Sequence, residues 1–293
     1  MNGDTQEIMN LYSLNKQSND PSEQDSFYSV RELADARQFI EEGYRIQTVE
    51  SPSDLERIRK LVHEAACQYL VNKDIKTDDL LDYIHQYVTP DQLNDLRLHI
   101  INTLNGNRWV RPAYFRLARH ALESIVGNEL AMQLRLNLSI QMPEDDSSLL
   151  PIHADTWSGD SPFEVVVWVP LVNCYATKSM YLLPPTVCGD PAQMLTNTYA
   201  QDSETLFHAV EKDLVWLNVK YGQVLVFNQN LPHGNRINRE SETRWTLNCR
   251  FKGVFTPYAD KRLGEFFEPI TLRPASRQGL DYHLSETRNH QAG

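Results

Sequence analysis

At about residue 131 the apolar residues of this chain change their spacing, from the three-and-four steps of helices to strict alternation, and that switch limits the folds open to it. Before it, Ser53 with Glu56 three positions on is a capping-box signature, and Leu55, Ile58, Leu61, Val62 and Ala65 recur at helical spacing, predicting a helix over about 54–72. Leu93, Leu96, Ile100 and Leu104 predict a second over 91–105, and Phe115, Ala118, Leu122 and Ile125 a third over 112–126 that stops at Gly127. After it, Gln133, Arg135, Asn137, Ser139 and Gln141 alternate with Leu134, Leu136, Leu138 and Ile140, the pattern of a strand over 132–141 with one apolar and one polar face. Further strands are predicted over 163–171, 178–183, 214–219, 222–227 and 243–255, separated by Pro, Gly and Asn turns. Strands with no helices between them pair antiparallel, so the expected fold is mainly β with a helical N-terminal part, as a sandwich or barrel, of which the jelly roll is the commonest enzyme-bearing form. The expected organisation is a flexible polar tail over 1–25, a helical part over 26–130 packed on the core, a β core over 131–257, and a charged, weakly patterned extension over 258–293 read as coil or a short helix.

Composition excludes several classes. A hydrophobic fraction of 41% with 23% charged residues is that of a soluble globular chain able to bury a core. The net charge of −11 argues against nucleic acid as a partner, although a local basic pocket can still take an anion. No apolar run approaches the roughly 18 residues a bilayer demands, and the first residues lack the order of a secretion signal, so the expected address is the cytoplasm with no membrane partner. Cys67, Cys174, Cys188 and Cys249 have no CxxC spacing and read as reduced, buried thiols. A homodimer is compatible with the sequence but not legible in it.

The chemistry-bearing residues are few. His153-Ala154-Asp155 places two metal-binding side chains at i and i+2, on the same side of an extended chain. Alone, the pair is better explained by a surface strand end or turn. His233 follows 80 positions later, after the apolar strand over 222–227, and a His-x-Asp from one strand end with a distal His from another builds the facial triad of non-haem iron oxygenases, which leaves the opposite face of the metal open. Arg244, on the next strand, is the cation that a bound dicarboxylate requires, since guanidinium makes two parallel charge-assisted hydrogen bonds to a carboxylate. Arg250 shares its parity, as do Thr246 and Asn248, and this polar face carries no Lys or Glu, which suits a cavity lining better than a face in water.

These residues carry a family likeness. The run from Asn137 through His153-Ala-Asp155-Thr-Trp157 to Pro170-Leu171, then Thr177-Lys-Ser-Met-Tyr181, the blocks around His233 and Arg244, and also Arg111-Pro112 and Gly127-Asn-Glu-Leu-Ala-Met132, resemble the 2-oxoglutarate/Fe(II) oxygenases of sporadic carbohydrate gene clusters, distant relatives of the phytanoyl-CoA hydroxylase type. The resemblance spans about residues 39–257. It implies a double-stranded β-helix of the jelly-roll, cupin-like type, with Fe(II) on His153, Asp155 and His233 and 2-oxoglutarate chelating the iron with its far carboxylate on Arg244. It further implies Arg250 near the iron-proximal carboxylate or closing the pocket and Asn137 and Gln141 in supporting contacts to the co-substrate, while Trp157 reads equally as a wall on the substrate side or as a plain core or lid aromatic. Some related oxygenases hold the co-substrate with a Lys from a middle strand, a role for which Lys178 would be placed but which Arg244 makes unnecessary here. O2 is the oxidant, succinate and CO2 are released, and the carboxylate of Asp155 favours hydroxylation over halogenation. A small, sugar-like substrate follows from the family's genomic setting, since no residue identifies one. Two other classes fit a jelly roll with a metal: a sugar isomerase or hydrolase using the ion as a Lewis acid, which would have no use for Arg244 and Arg250, and a sugar-binding module in which the three ligands are incidental.

Overall fold

The computed structural model of the chain describes residues 27–71, 75–188 and 202–291; the expected tail over 1–25 lies outside them. Helix α1 (Val30–Glu42) opens on a reciprocal capping box between Ser29 and Glu32 and closes at Gly43, whose φ of 78° is open to glycine at no steric cost. The chain then forms β1 (Tyr44–Thr48), α2 (Pro52–Leu70), α3 (Thr77–Asp82), α4 (Pro90–Gly106), α5 (Val110–Arg116) and α6 (Arg119–Ile125). The helix expected at 54–72 starts two residues earlier, with Pro52 in its first turn, and the Ser53–Glu56 box is not its start. The single helix expected over 112–126 is two, because Glu50 reaches across to accept hydrogen bonds from the backbone N–H of His120 (3.0 Å) and Ala121 (3.4 Å) at the first turn of α6. The apolar stripe of α4, Leu93, Leu96, Ile100 and Leu104, is buried as predicted.

The sheet strands are β2 (Leu130–Gln133), β3 (Asn137–Gln141), β4 (Glu164–Pro170), β5 (Tyr181–Leu182), β6 (Val215–Trp216), β7 (Gln223–Asn228), β8 (His233–Gly234), β9 (Arg244–Gly253) and β10 (Phe267–Pro269), with short helices α7 (Pro185–Cys188) and α8 (Ser203–Val210) beside the smaller strands. A seven-stranded sheet runs β1-β7-β4-β9-β2-β10, with β3 also paired to β9, and a three-stranded sheet runs β6-β5-β8; neither closes on itself. All the pairings between these strands are antiparallel, and β9 pairs with β4, β2 and β3.

Three features differ from the sequence expectation. The strand expected over 132–141 is broken. Met132 faces Phe251 and Asn137 faces Asn248, five steps along one strand against three along the other, so two extra residues bulge between β2 and β3. Their backbone groups are satisfied elsewhere, Leu134 N–H on the Phe266 carbonyl (2.8 Å) and Leu136 N–H on Asn105 Oδ1 (2.8 Å). Because the insertion is even, every side chain keeps its face, and alternation alone could not reveal it. The chain is a mixture of helix and antiparallel sheet rather than mainly β, since β1 joins the edge of the main sheet from within the helical part and α9 (Pro274–Gln291) stands where coil or a short helix was expected. The α9 side chains that are described are largely exposed, so that part of the helix offers no apolar stripe to read.

The helices are tied to the sheet by buried polar groups. Tyr114 Oη on α5 donates to the Val167 carbonyl (2.8 Å) and Trp245 Nε1 to the Leu81 carbonyl (2.7 Å). Asp82 accepts from the Thr243 backbone N–H through its carbonyl (2.7 Å) and from Lys178 Nζ through its carboxylate (3.0 Å). All four cysteines are buried thiols, and no helix among the described residues is long and apolar enough to cross a membrane.

Candidate metal and diacid site

His153, Asp155 and His233 meet, with one ligand atom from each within 4.8 Å of the others. They form the one such cluster of His, Cys and acidic groups found among the described residues. Backbone pairing sets the geometry: His153 N–H donates to the His233 carbonyl (2.9 Å) and His233 N–H to the His153 carbonyl (2.8 Å), bringing the two rings to 4.4 Å between centroids. The Nδ1 of each ring faces a backbone carbonyl two residues earlier, Pro151 for His153 (2.8 Å) and Leu231 for His233 (2.9 Å). A carbonyl can only accept, so each Nδ1 carries a hydrogen; His233 Nε2 is left with its lone pair, and His153 Nε2, whose proton is donated to Asp155 in a hydrogen bond here, offers its lone pair once that proton is displaced, the tautomer a metal ligand needs. Asp155 Oδ1 lies 3.3 Å from His153 Nε2 and 4.0 Å from His233 Nε2.

The charges suit a cation. Burial, followed by the neighbouring His153, pushes the His233 imidazole down to about 4, so it is neutral at neutral pH. Burial works to raise the Asp155 carboxyl, but the hydrogen bond with His153 and the charges of His233 and Arg250 outweigh it and hold the group below the ordinary carboxylate range. Burial works to lower His153, yet its hydrogen bonds to Asp155 and the Pro151 carbonyl raise it. A divalent ion would take the place of that proton.

Arg250 grips the other oxygen of Asp155, with Nη2 2.8 Å from Oδ2 and 3.2 Å from Asp160 Oδ2. Its Nε donates to Gln229 Oε1 (2.9 Å), and the Gln229 carbonyl accepts from the Asp155 backbone N–H (3.1 Å). Lys261 Nζ, 2.6 Å from Asp160 Oδ1, completes the set. Asp155 is thus presented with one oxygen engaged and one free for the cluster. Arg250→Met is expected to weaken metal binding about 10- to 100-fold without unfolding the protein, as measured by competition with a chromogenic chelator. An unchanged affinity would show that Arg250 does not orient the carboxylate.

His233 lies in a tight strand. A Cβ on Gly234 would stand 2.7 Å from both the Leu150 carbonyl oxygen and Tyr181 Oη, and 3.1 Å from Pro151 C. Gly234→Ala is therefore expected to cost about 1–3 kcal/mol in urea denaturation, because two of these three neighbours are backbone that must shift.

The triad opens into a cavity of about 640 Å³ lined by residues of both sheets, the loop at 147–150 and α4. Arg244 lines it and is buried. Its Nη1 donates to the Ser179 carbonyl (2.9 Å) and its Nη2 to Ser139 Oγ (3.1 Å), while Nε has no partner. No carboxylate among the described residues pairs with it, and burial pushes it down to about 10. Thr246 Oγ1, also lining the cavity, and Ser179 Oγ are buried without partners. A buried guanidinium with no anion beside unpartnered hydroxyls is costly unless a ligand supplies the missing charge.

The other expected residues are dispersed. Asn137 lines the cavity and donates to Asn248 Oδ1 (3.1 Å). Gln141 is buried, donates to the Arg236 carbonyl (2.6 Å) and is not among the lining residues. Trp157 packs on the core beside the triad and is likewise not in the lining. Lys178 is neutralised by Asp82 (3.0 Å) and Glu242 (2.6 Å), so it is not the free cation that Arg244 is. Asp160, Gln229 and Lys261 have no sequence signal for their part, whereas Ser139 and Thr246 stand on the polar strand faces that the alternation exposes.

No protein-family model matches the sequence, and no curated protein is similar to it. Solved structures are similar. The non-heme monooxygenase ThoJ in its apo form matches over 82% of this chain and 84% of its own, with 15% identity and a TM-score of 0.50. EvdMO1 matches over 76% of this chain and 50% of its own, with 16% identity and a TM-score of 0.51. At this identity what is shared is the fold.

Proposed function

We propose that this chain is a non-haem Fe(II) oxygenase dependent on 2-oxoglutarate, oxidising a carbohydrate or sugar-containing small molecule, its two sheets forming the walls of a double-stranded β-helix. The observation that carries the reading is one cavity lined both by a two-His, one-Asp cluster and by a buried guanidinium that lacks an anion. ThoJ, a non-heme monooxygenase of the same fold, supports it. A Lewis-acid isomerase would leave Arg244 without a purpose.

The residues fit the groups. His153 and His233 offer Nε2 and Asp155 one oxygen, three ligands with further positions open, as a ferrous oxygenase needs. Arg244, helped by Ser139 and Thr246, matches the far carboxylate of a five-carbon diacid, and Arg250 fixes the third metal ligand. When bound, iron and 2-oxoglutarate supply an oxidant drawn from O2, with succinate and CO2 as by-products. The chain's own part is to hold those groups, to keep water out with Val166, Trp168, Met180 and Phe227, and to aim one C–H bond of the substrate. Hydroxylation is the outcome we assign, and product analysis separates it from epimerisation or desaturation, which use the same ligands.

Anaerobic titration of the protein with Fe(II) and 2-oxoglutarate is expected to give a weak visible charge-transfer band, and O2 is then expected to release succinate. Absence of the band in the wild-type protein would sink the reading.

A further inference from the structure

The cavity's charges do not balance. Among the described residues its charged lining side chains are Arg97, Arg244, Arg250 and Asp155, three cations against one anion in a chain of net charge −11. Arg250 is paired with Asp155 and Asp160, and a diacid suffices for Arg244. Arg97 remains.

Its placement is built by α4. Pro90, Leu93, Asn94 and Arg97 stand three and four residues apart, on one stripe of the helix, and all four line the cavity. Leu93 is buried, Arg97 half-buried and Asn94 exposed, so the stripe runs from the core to the rim. Among the described residues the Arg97 side chain makes one hydrogen bond, to Asn94 Oδ1 (2.6 Å), a neutral group, and no carboxylate pairs with it. Asn137 and Asn248 also line the cavity, and their amide–amide hydrogen bond leaves the Asn137 carbonyl and the Asn248 amino group without a protein partner among the described residues.

We propose that the substrate carries an anionic group, a phosphate or a carboxylate, which Arg97 holds at the rim of the cavity, with hydroxyl groups of the same molecule on the Asn137–Asn248 pair. The guanidinium gives either oxyanion two parallel hydrogen bonds, and a cleft of positive sign in an acidic protein concentrates anions at its mouth. A neutral sugar would use the amides and leave the cation unmatched. This rests on the oxygenase reading only in naming the bound molecule a substrate.

The test uses protein loaded with zinc, which performs no redox chemistry, and saturated with 2-oxoglutarate so that Arg244 is occupied. Isothermal titration with glucose 6-phosphate, glucuronate and glucose compares a phosphate, a carboxylate and a neutral probe. At least one anion is expected to bind about 10- to 100-fold more tightly than glucose, the range of a charge-assisted hydrogen bond. Whichever anion is preferred identifies the group. Arg97→Gln is expected to erase that preference and Arg97→Lys to restore part of it, with the Fe(II)/2-oxoglutarate band retained in both. Equal binding of all three probes, or a preference that survives Arg97→Gln, overturns the proposal. Repeating the titrations without 2-oxoglutarate on an Arg244→Met background keeps the two readings apart: the preference persists there even if the co-substrate assignment is wrong.

Discussion

Arg244→Met is expected to make the ligand-free protein more stable and unable to bind 2-oxoglutarate. The guanidinium is buried without an anion, and a methionine of similar reach removes an uncompensated charge while leaving apolar contacts in its place. The gain in the unliganded state is expected at about 1–4 kcal/mol, the range seen when buried charges give way to packed apolar groups. The same change removes the anchor of the diacid, and truncating one side of a buried charged pair costs about 2–5 kcal/mol, roughly 30- to several-thousand-fold in affinity. Differential scanning fluorimetry reads both effects. The wild type gains thermal stability when 2-oxoglutarate is added with zinc, whereas the variant starts higher and does not move. A variant that starts lower, or one that responds to 2-oxoglutarate as the wild type does, would show that Arg244 belongs to the scaffold.

Asp155→Ala should have the larger effect on the metal. The substitution deletes the negative ligand and also frees Arg250, whose guanidinium stands 2.8 Å from that carboxylate, to repel the incoming ion. The loss should exceed the roughly 10- to 100-fold typical of groups that only orient a ligand. The fold should survive, because Arg250 keeps Asp160, and Asp160 keeps Lys261. Chelator competition with Fe(II) or zinc, alongside a near-ultraviolet circular dichroism spectrum, separates lost affinity from lost structure. Wild-type metal affinity in the variant would sink the proposed triad.

The candidate triad is visible in the sequence because its members are chemically distinctive and two of them stand only two positions apart. His153 and Asp155 announce themselves by spacing, and His233 by its place after an apolar strand. Arg244 is legible because its strand alternates cleanly and the polar face lacks the Lys and Glu of a face in water. What the sequence hides are pairings between distant segments. Asp160 and Lys261 are ordinary surface letters until the fold brings them to Arg250, and Lys178 looks available until Asp82 and Glu242 are seen around it. The two-residue bulge between β2 and β3 is invisible because it preserves parity. Arg97 reads as a solvated helix residue, since only the docking of α4 against β3 turns its stripe toward a cavity.

The tie between α3 and the first residues of β9 has a consequence for how this molecule can be taken apart. Thr243, the neighbour of the proposed diacid anchor, hangs from the Asp82 carbonyl, and Trp245 on its other side from Leu81. An amputated version beginning at β2 would shed both tethers and strand the buried Lys178 ammonium with only Glu242 for company. The helices are thus no detachable cap: whoever trims them should find the cavity around Arg244 slack even where His153, Asp155 and His233 still come together.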